Sequence, residues 1–478
     1  MRAWRGSLAH VVTACVLVSA CSGGDRMPAV SSADGDEVAE AGEPEPGSPT
    51  LWDPYFPTLG NGGYDVDNYE LSLSYEPGSG NLEGDARISA AATQDLSSFS
   101  LDFSGLDVSE VTVDGEEAEY RDEGAKLFIT PSDALAGGDE FEVVVTYSGT
   151  PQLTSSESDV EGLGWYVLED VGSFVLAEPE GAHTWFPCND HPSDKATVSV
   201  TLEVPDGFEV AGNGELVGEG DDGGSRSWSW RSDEVIATYL VAPSVGNYEI
   251  ERIEQGDEPF LRNFVPPEVA DQGVGDLEVT ARMITEFEEV FGPYPFGEYG
   301  IVVVPEYLGT AMENQTMSLV GIEAATEPDE LLLAHELAHQ WFGNSVSLEV
   351  WSDIWLNEGP ATYAEYLWEE ATTPGFDVDD AMASLHAEIG GDTPPGDPGA
   401  SEMFGESVYY RGALTLHALR RTIGDEDFFR LLQTWTDRYR YSNATTEDFI
   451  SAAGEVSGVD LGDFFDAWLY QDEMPELP

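Results

Sequence analysis

The segment His335-Glu336-Leu337-Ala338-His339 constrains the fold of this 478-residue chain more than any other feature. It lies between Leu331-Leu332-Leu333-Ala334 and Gln340-Trp341-Phe342, a stretch without proline or glycine that predicts a helix. Helical side chains four residues apart project from one face, one turn apart, so both imidazoles can bind one cation. The chain is therefore expected to fold around a helix that presents two histidines to a metal.

A third ligand is expected from a second helix. Eighteen residues separate His339 from Glu358, which lies within Trp355-Leu356-Asn357-Glu358-Gly359. A hydrolytic zinc site takes three protein ligands and leaves a fourth position for water. Glu336 points about 100° round the helix from His335, so it lies near the metal without binding it and acts as general base. We expect one zinc ion on His335, His339 and Glu358, and loss of that ion on acidification.

The charge of the chain excludes one class of partner. There are 93 acidic and 18 basic residues, a formal net charge of −75, and only Lys126 and Lys195 are lysines. Such a surface repels nucleic-acid phosphate, so no nucleic acid is expected as a partner. Two interpretations of the acidity stay open: a surface suited to high salt, where screening relieves self-repulsion, or an ordinary soluble acidic exoprotein.

The first 20 residues predict a signal peptide. Two arginines precede an apolar run at 8–18 that is too short to span a membrane as a mature helix. The following Val18-Ser19-Ala20-Cys21 resembles a bacterial lipobox, in which Cys21 is acylated. The alternative is an ordinary secretory signal with an incidental cysteine. We expect an exported chain, anchored by lipid to the outer face of the cell membrane or else secreted.

Three further regions follow the signal. Residues 21–50 carry almost no large apolar side chains and are predicted to be a disordered linker from the lipid anchor. Residues 51–247 alternate apolar and polar side chains, which predicts a mostly antiparallel β domain, with a hairpin turn at Asp114-Gly115. Residues 248–478 are predicted to be an α+β domain that becomes helical. The lone Cys188, within the predicted β domain, is expected to be a small buried hydrophobe without a disulfide.

The spacing of apolar residues predicts individual strands and helices within these domains. Alternation marks strands at Tyr69, Leu71, Leu73 and Tyr75, at Phe99, Leu101 and Phe103, and at Phe141, Val143, Val145 and Tyr147. In the second domain, helices are expected over 274–291, 328–343, 354–370, 404–421, 425–439, 445–456 and 460–470, a strand over 299–304 and a loop over 390–400.

From about Tyr64 onward the chain resembles the aminopeptidase N family of gluzincins. The resemblance implies a multidomain α and β protein, in which an N-terminal antiparallel β domain of saddle or sandwich type precedes a thermolysin-like α+β zinc metallopeptidase domain. It also implies release of N-terminal residues from peptides with a free N-terminus. Because the sequence ends at Pro478, where many members continue with helices, we expect a more open site. A monomer is expected.

The resemblance also implies residues that bind substrate. Gly309-Thr310-Ala311-Met312-Glu313-Asn314 is similar to the family's Gly-Ala-Met-Glu-Asn, with Thr310 in place of the glycine. Glu313 would bind the substrate α-amine, beside Ala311 and Met312. Glu178 matches a second amine-binding acid. Nearby, Leu176 and His183 replace the family's glutamine and arginine, so no preference for a first residue is implied.

A tyrosine is expected to stabilise the oxyanion. Val408-Tyr409-Tyr410-Arg411-Gly412 is similar to the family's segment, with arginine in place of lysine, and points to Tyr409 rather than Tyr410. A phenol stays protonated near neutral pH and can donate this hydrogen bond.

Three other functions compete with the aminopeptidase. A thermolysin-like endopeptidase would share the zinc apparatus but lack the two amine-binding acids. A non-catalytic surface binding protein would keep the fold and lose the chemistry. An epoxide hydrolase of the leukotriene type has no support beyond the shared zinc residues.

Overall fold

The computed structural model describes residues 43–478, apart from 157, 159, 254–258, 271–276, 327–328 and 390–392. Residues Glu43–Pro478 form one compact unit. The predicted signal peptide 1–20, the lipidation site Cys21 and most of the predicted linker lie outside the described residues. No helix in the described part of the chain is long and apolar enough to cross a membrane.

The structure differs from the predicted linker 21–50 at its end. Residues 43–50 are described, and strand β1 (Glu45–Pro46) pairs in parallel with Leu96–Asp102. The amide of Glu45 donates to the carbonyl of Asp95 over 3.2 Å, and that of Gly47 to Ser98 over 2.8 Å. Backbone pairing of this kind needs no large apolar side chain, so composition could not reveal it.

Three sheets build the amino-terminal half. An eight-stranded sheet has the order β15-β16-β13-β2-β3-β9-β5-β6, a four-stranded sheet the order β1-β4-β8-β7, and a five-stranded sheet the order β10-β11-β12-β17-β14. After β1 the strands are β2 (Tyr64–Glu76), β3 (Asn81–Ala92), β4 (Leu96–Asp102), β5 (Asp107–Val113), β6 (Glu116–Glu117), β7 (Glu119–Glu123), β8 (Lys126–Thr130), β9 (Glu140–Gly149), β10 (Thr154–Ser155), β11 (Glu161–Leu168), β12 (Gly172–Leu176), β13 (Ala196–Pro205), β14 (Glu209–Ala211), β15 (Glu215–Asp221), β16 (Ser225–Ile236) and β17 (Ser244–Gly246).

The alternation in the sequence places the core of this half as predicted. Every apolar position named above on β2, β4 and β9, and at Phe103 after β4, is at most 5% exposed. The rings of Phe99 and Phe141 lie 5.3 Å apart, so the four-stranded sheet packs on the eight-stranded one. The predicted hairpin is also confirmed, because Asp114 and Gly115 both have positive φ between β5 and β6.

The second half combines a mixed sheet with helices. The sheet has the order β18-β19-β20-β22-β21, and β21 lies at its edge. Its strands and a later two-stranded pair are β18 (Glu249–Ile253), β19 (Phe260–Val265), β20 (Glu298–Val304), β21 (Ala311–Met312), β22 (Ser318–Gly321), β23 (Val346–Leu348) and β24 (Ser442–Ala444). The helices are α1 (Leu277–Phe291), α2 (Glu323–Thr326), α3 (Glu330–Ala338), α4 (Trp355–Thr372), α5 (Val378–Glu388), α6 (Gly412–Ile423), α7 (Asp425–Arg438), α8 (Thr446–Ser457) and α9 (Gly462–Phe465). The predicted fold class, a β domain followed by a helix-rich α+β domain, is confirmed.

Some helices differ from their predicted extent. α3 ends at Ala338 and continues as turns, and the predicted helix over 404–421 begins with a π-helical turn, Ser407–Arg411. Apolar spacing cannot distinguish a π turn from an α turn over so few residues. α5 was not predicted, because only Val378 and Met382 are buried along it and no apolar stripe marks it.

One buried ion pair joins two segments of the β half. Lys126 Nζ lies 2.5 Å from Asp102 Oδ1, and Asp102 is fully buried. The same ammonium donates to the carbonyl of Gly60 over 2.8 Å. A buried carboxylate without its cation is strongly destabilising, so this contact ties the segment before β2 to β4 and β8.

We therefore expect Lys126→Met to lower the free energy of unfolding by about 3 kcal/mol, because it leaves Asp102 buried without a counter-charge. Arg121→Met is the control, since Arg121 pairs with Glu123 at the surface and its loss should cost no more than about 1 kcal/mol. Denaturant unfolding of both variants measures the difference, and equal losses would contradict the account.

Candidate active site

Helices α3 and α4 bring the three predicted ligands together. The Asp329 side chain accepts hydrogen bonds from the amides of Leu331 and Leu332 and so fixes the start of α3. His335 lies in α3, and His339 follows its last residue with its amide still bonded to the carbonyl of His335. Glu358 lies in the first turn of α4, which packs against α3.

The geometry fits a zinc ion. Glu358 Oε2 lies 3.2 Å from His335 Nε2 and 3.5 Å from His339 Nε2. One ligand atom from each residue lies within 4.8 Å of the others. Two imidazoles and one carboxylate are a donor set typical of catalytic zinc, and all three side chains are largely buried. These residues can therefore hold one zinc ion.

The imidazoles are oriented by partners behind them. His335 Nδ1 lies 2.8 Å from Glu365 Oε1, and His339 Nδ1 lies 3.1 Å from the carbonyl of Phe342. Such partners fix the tautomer, so that Nε2 faces the metal. Glu365 was not predicted from the sequence. Its signal was its position seven residues after Glu358 on the same helix, two turns along the same face.

Protons and metal compete for these nitrogens. Burial acts to lower the pKa of His335, but hydrogen bonds to Glu358 and Glu365 raise it well above its usual value. Burial also acts to lower the pKa of His339, but the carboxylates of Glu313 and Glu358 raise it above its usual value. Conversely, burial acts to raise the pKa of Glu358, but both imidazoles hold it at about 2. Metal occupancy should therefore fall on acidification.

Glu336 lies in α3 beside the cluster without belonging to it. Burial raises the pKa of its carboxyl to about 8, and the neighbouring imidazoles only partly offset that shift. A carboxylate with a raised pKa takes and returns a proton more readily near neutral pH, as a general base requires.

Glu178 and Glu313 meet next to the metal ligands. One carboxylate oxygen from each lies within 4.8 Å of the other and of a Glu358 oxygen. Among the described residues, Glu178 Oε1 and Glu313 Oε1 are buried without a hydrogen-bond partner. Burial raises the pKa of both carboxyls, and at Glu178 the nearby carboxylates add to the shift. A buried acidic pair with two oxygens that lack donors is suited to a cation from outside.

The backbone of Glu313 is held by the segment that carries the histidines. Glu313 directly follows the edge strand β21, in which Ala311 and Met312 pair with β22. Its carbonyl accepts hydrogen bonds from Gln340 Nε2 over 3.0 Å and from Asn344 Nδ2 over 2.8 Å. The edge strand and the metal site are therefore fixed to one another.

Tyr409 lies at the cluster, whereas Tyr410 is a more exposed part of the wall of the same cavity. The ring of Tyr409 stacks 6.0 Å from that of His335, whereas Tyr410 is 37% exposed. Burial raises the pKa of Tyr409 well above its usual value, so the phenol remains a donor. A close approach of helices brings it here, because a Cβ on Gly359 would lie 3.0 Å from the backbone of Gly412.

These side chains line one cavity of about 1070 Å³. Its wall contains Glu178, Glu313, His335, Glu336, His339, Glu358 and Tyr409, together with Ala311 and Met312. Its remaining wall includes Leu176 and Thr310, so two of the four residues that depart from the family pattern line the cavity.

His183, a further departure from the family pattern, and the other described histidines outside the metal cluster have structural partners. His183 lies 2.8 Å from Asp190, His191 2.7 Å from Ser193, His386 2.7 Å from the carbonyl of Pro475, and His417 3.2 Å from Tyr363. His10 lies outside the described residues. Cys188 is fully buried and free, as predicted.

A β domain followed by a thermolysin-like domain with a His-His-Glu cluster defines a metallopeptidase of the gluzincin type. Two family models match the chain: the peptidase M1 N-terminal domain over residues 65–240 and the peptidase family M1 domain over residues 276–468. The chain belongs to peptidase family M1, a family of zinc metallopeptidases, as its resemblance implied.

Solved structures and curated relatives agree with this assignment. The chain is similar to a mutant M1 zinc metallopeptidase from Deinococcus radiodurans bound to a Tyr-Ser-Ala substrate, with 31% identity and a TM-score of 0.82 over 90% of this chain and 99% of that one. It is 28% identical over 438 residues to probable aminopeptidase 1 of Sulfurisphaera tokodaii and 26% over 437 residues to the leucyl aminopeptidase of Saccharolobus solfataricus. Each match covers 86% of this chain and 54% of the relative, so the chain spans about half the length of these relatives.

The contact behind His335 yields a test. We expect Glu365→Gln to weaken zinc binding by about 10- to 100-fold, because the imidazole loses the carboxylate that orients it. Competition with a fluorescent chelator measures the affinity. Glu370→Gln, an exposed position on the same helix, is the matched control and should leave it unchanged. Equal affinities for the two variants would show that Glu365 does not support the site.

Proposed function

We propose that this chain is a zinc aminopeptidase that releases N-terminal amino acids from peptides. The observation that carries the proposal is the pair of buried carboxylates, Glu178 and Glu313, that lies beside the metal cluster with oxygens lacking partners among the described residues. The free α-ammonium of a peptide supplies the charge and the donors that these oxygens need. An internal peptide segment has no such group.

The position of the pair selects the bond that is cleaved. Its oxygens lie within 4.8 Å of a Glu358 oxygen, and Glu358 is itself a ligand in the proposed site. A substrate whose amine binds there has only its first carbonyl within reach of the metal. Binding energy of the amine is thus used to place one peptide bond at the reacting centre.

Zinc on His335, His339 and Glu358 would supply a Lewis acid that polarises the scissile carbonyl and acidifies water. Glu336 takes the proton of the attacking water and then gives it to the leaving amine. Tyr409 donates a hydrogen bond to the carbonyl oxygen as negative charge develops on it. Glu178 and Glu313 keep the amine fixed throughout.

Two alternative functions have less support. A thermolysin-like endopeptidase has no need for a buried acidic pair beside the metal ligands. A non-catalytic binding protein has no need for Glu336 and Tyr409 at the cluster. The aminopeptidase uses all of these groups.

A matched peptide pair, free and N-acetylated, tests the proposal. We expect hydrolysis of the free peptide only, abolished by a chelator and restored by zinc, because acetylation removes the charge that Glu178 and Glu313 bind. Release of product is followed by mass spectrometry, with Glu336→Gln as the inactive control. Cleavage of both peptides would identify an endopeptidase, and cleavage of neither by the zinc-loaded protein a binding protein.

Two neighbouring tyrosines test whether the Tyr409 hydroxyl acts in the reaction, because loss of a hydroxyl can be compared at both positions. We expect Tyr409→Phe to lower kcat by about 10²- to 10³-fold, because it removes one donor to the oxyanion. Tyr410→Phe should lower kcat by less than about threefold, since Tyr410 lines the same cavity but is more exposed and, unlike Tyr409, does not stack on His335. A larger effect at Tyr410 would contradict the assignment.

We also propose that the protein is exported, anchored to the outer face of the membrane through Cys21, and monomeric. The apolar run and the lipobox-like Val18-Ser19-Ala20-Cys21 support the anchor. The proposed partners are peptides with a free N-terminus and the membrane, with no nucleic acid.

A further inference from the structure

Lys195 makes an unusual contact for this chain. It is one of two lysines among 478 residues with 93 acidic side chains, yet it donates hydrogen bonds to main-chain carbonyls. Nζ donates to the carbonyl of Asn344 over 2.9 Å and to that of Ser345 over 3.1 Å. Lys195 directly precedes β13 of the amino-terminal half, whereas both acceptors follow α3. The contact thus joins the two halves.

The acceptors belong to the turn that closes the metal-binding segment. The amide of Asn344 donates to the carbonyl of His339 over 3.0 Å, and that of Ser345 to Gln340 over 3.1 Å. Carbonyls beyond the end of a helix lack intrahelical donors and carry partial negative charge. The ammonium of Lys195 therefore stabilises this turn in one position. Burial lowers the pKa of Lys195 to about 7, as expected for an ammonium held by carbonyls and not by a carboxylate.

The same turn also holds the backbone of Glu313, one of the two proposed amine-binding residues. Asn344 Nδ2 donates to the carbonyl of Glu313 over 2.8 Å, one residue beyond β21. On the other side, Glu178 and Lys195 lie near opposite ends of the segment that connects β12 to β13. That segment is anchored in the β half next to Lys195, where Asp194 Oδ1 accepts the amide of Val66 over 3.2 Å.

We propose that Lys195 is a positioning residue for the amine site: through Asn344 it sets the spacing between Glu313 and Glu178. The inference rests on the proposed function. The two carboxylates come from different halves of the chain, so their separation depends on how those halves are joined. Lys195 joins them through Asn344, one of the two residues that donate to the Glu313 carbonyl.

Other contacts limit the size of the effect. Asn213 Nδ2 donates to the carbonyl of Gln315 over 2.7 Å, and the amide of Gly214 donates to Thr316 Oγ1 over 2.8 Å. These bonds also join the β half to the segment after Glu313. Loss of Lys195 should therefore shift the carboxylate without separating the halves.

Two zinc-binding ligands that differ only in the amine measure the effect directly. Leucine hydroxamate carries the α-amine and 4-methylpentanoyl hydroxamate lacks it, so the ratio of their dissociation constants reports recognition of the amine. We expect Lys195→Met in the zinc-loaded protein to reduce this ratio about tenfold, because small displacements at a binding site cost this much or more. Binding of the ligand without the amine should change less than twofold.

Matched variants separate positioning from general damage. Lys126→Met removes the other lysine and should lower stability without changing the ratio. Asn344→Ala should reduce the ratio as Lys195→Met does, and the double variant should reduce it no further, because both act along one path. Lys195→Arg keeps a charged donor, so the ratio of dissociation constants in this variant should lie between those of Lys195→Met and the unaltered protein.

The outcomes are distinct. A ratio near one in the unaltered protein would refute the aminopeptidase proposal and this inference with it. A large ratio that Lys195→Met leaves unchanged would overturn this inference alone, as would equal weakening of both ligands. If Lys195→Met does not fold, an unchanged ratio in Asn344→Ala overturns it.

Discussion

The carboxylate of Glu358 lies between two imidazoles, one in α3 and one directly after it, and the rest of the site depends on that contact. Burial of a carboxylate costs free energy unless positive charge is close by, and here two histidines or a metal ion supply it. The contact fixes how α4 crosses α3. That crossing places Glu336 at the cluster. Through the contact between Gly359 of α4 and Gly412 of α6, it also determines where Tyr409 lies.

The acidic pair beside the metal ligands, Glu178 and Glu313, is built from both halves of the chain. Glu313 comes from the edge of the sheet in the second half and Glu178 from the β half, so neither half alone holds the acidic pair. Ligand sites commonly form where two domains meet, because a cleft there is lined from both sides. In the proposed aminopeptidase the β half therefore helps to bind substrate, and contacts such as those of Lys195 become relevant to that binding.

The sequence predicted the parts of the protein that have a period or a fixed spacing. Alternation located β2, β4 and β9, and the four-residue spacing of the histidines located the metal site. It did not predict β1, which is held by backbone hydrogen bonds, or α5, whose surface is mostly exposed. Glu365 and Asn344 were missed because their roles depend on which elements become neighbours, and no local pattern encodes that. The π turn that contains Tyr409 has the same apolar spacing as an α turn.

The central claim is that one zinc ion and one peptide amine bind side by side in this cavity. Diffraction at the zinc absorption edge, from crystals of the zinc-loaded protein soaked with a free amino acid, tests it most directly. The account predicts an anomalous peak between His335, His339 and Glu358, and an ammonium within hydrogen-bond distance of Glu178 and Glu313. A peak elsewhere, or an amine directed away from both carboxylates, would contradict it.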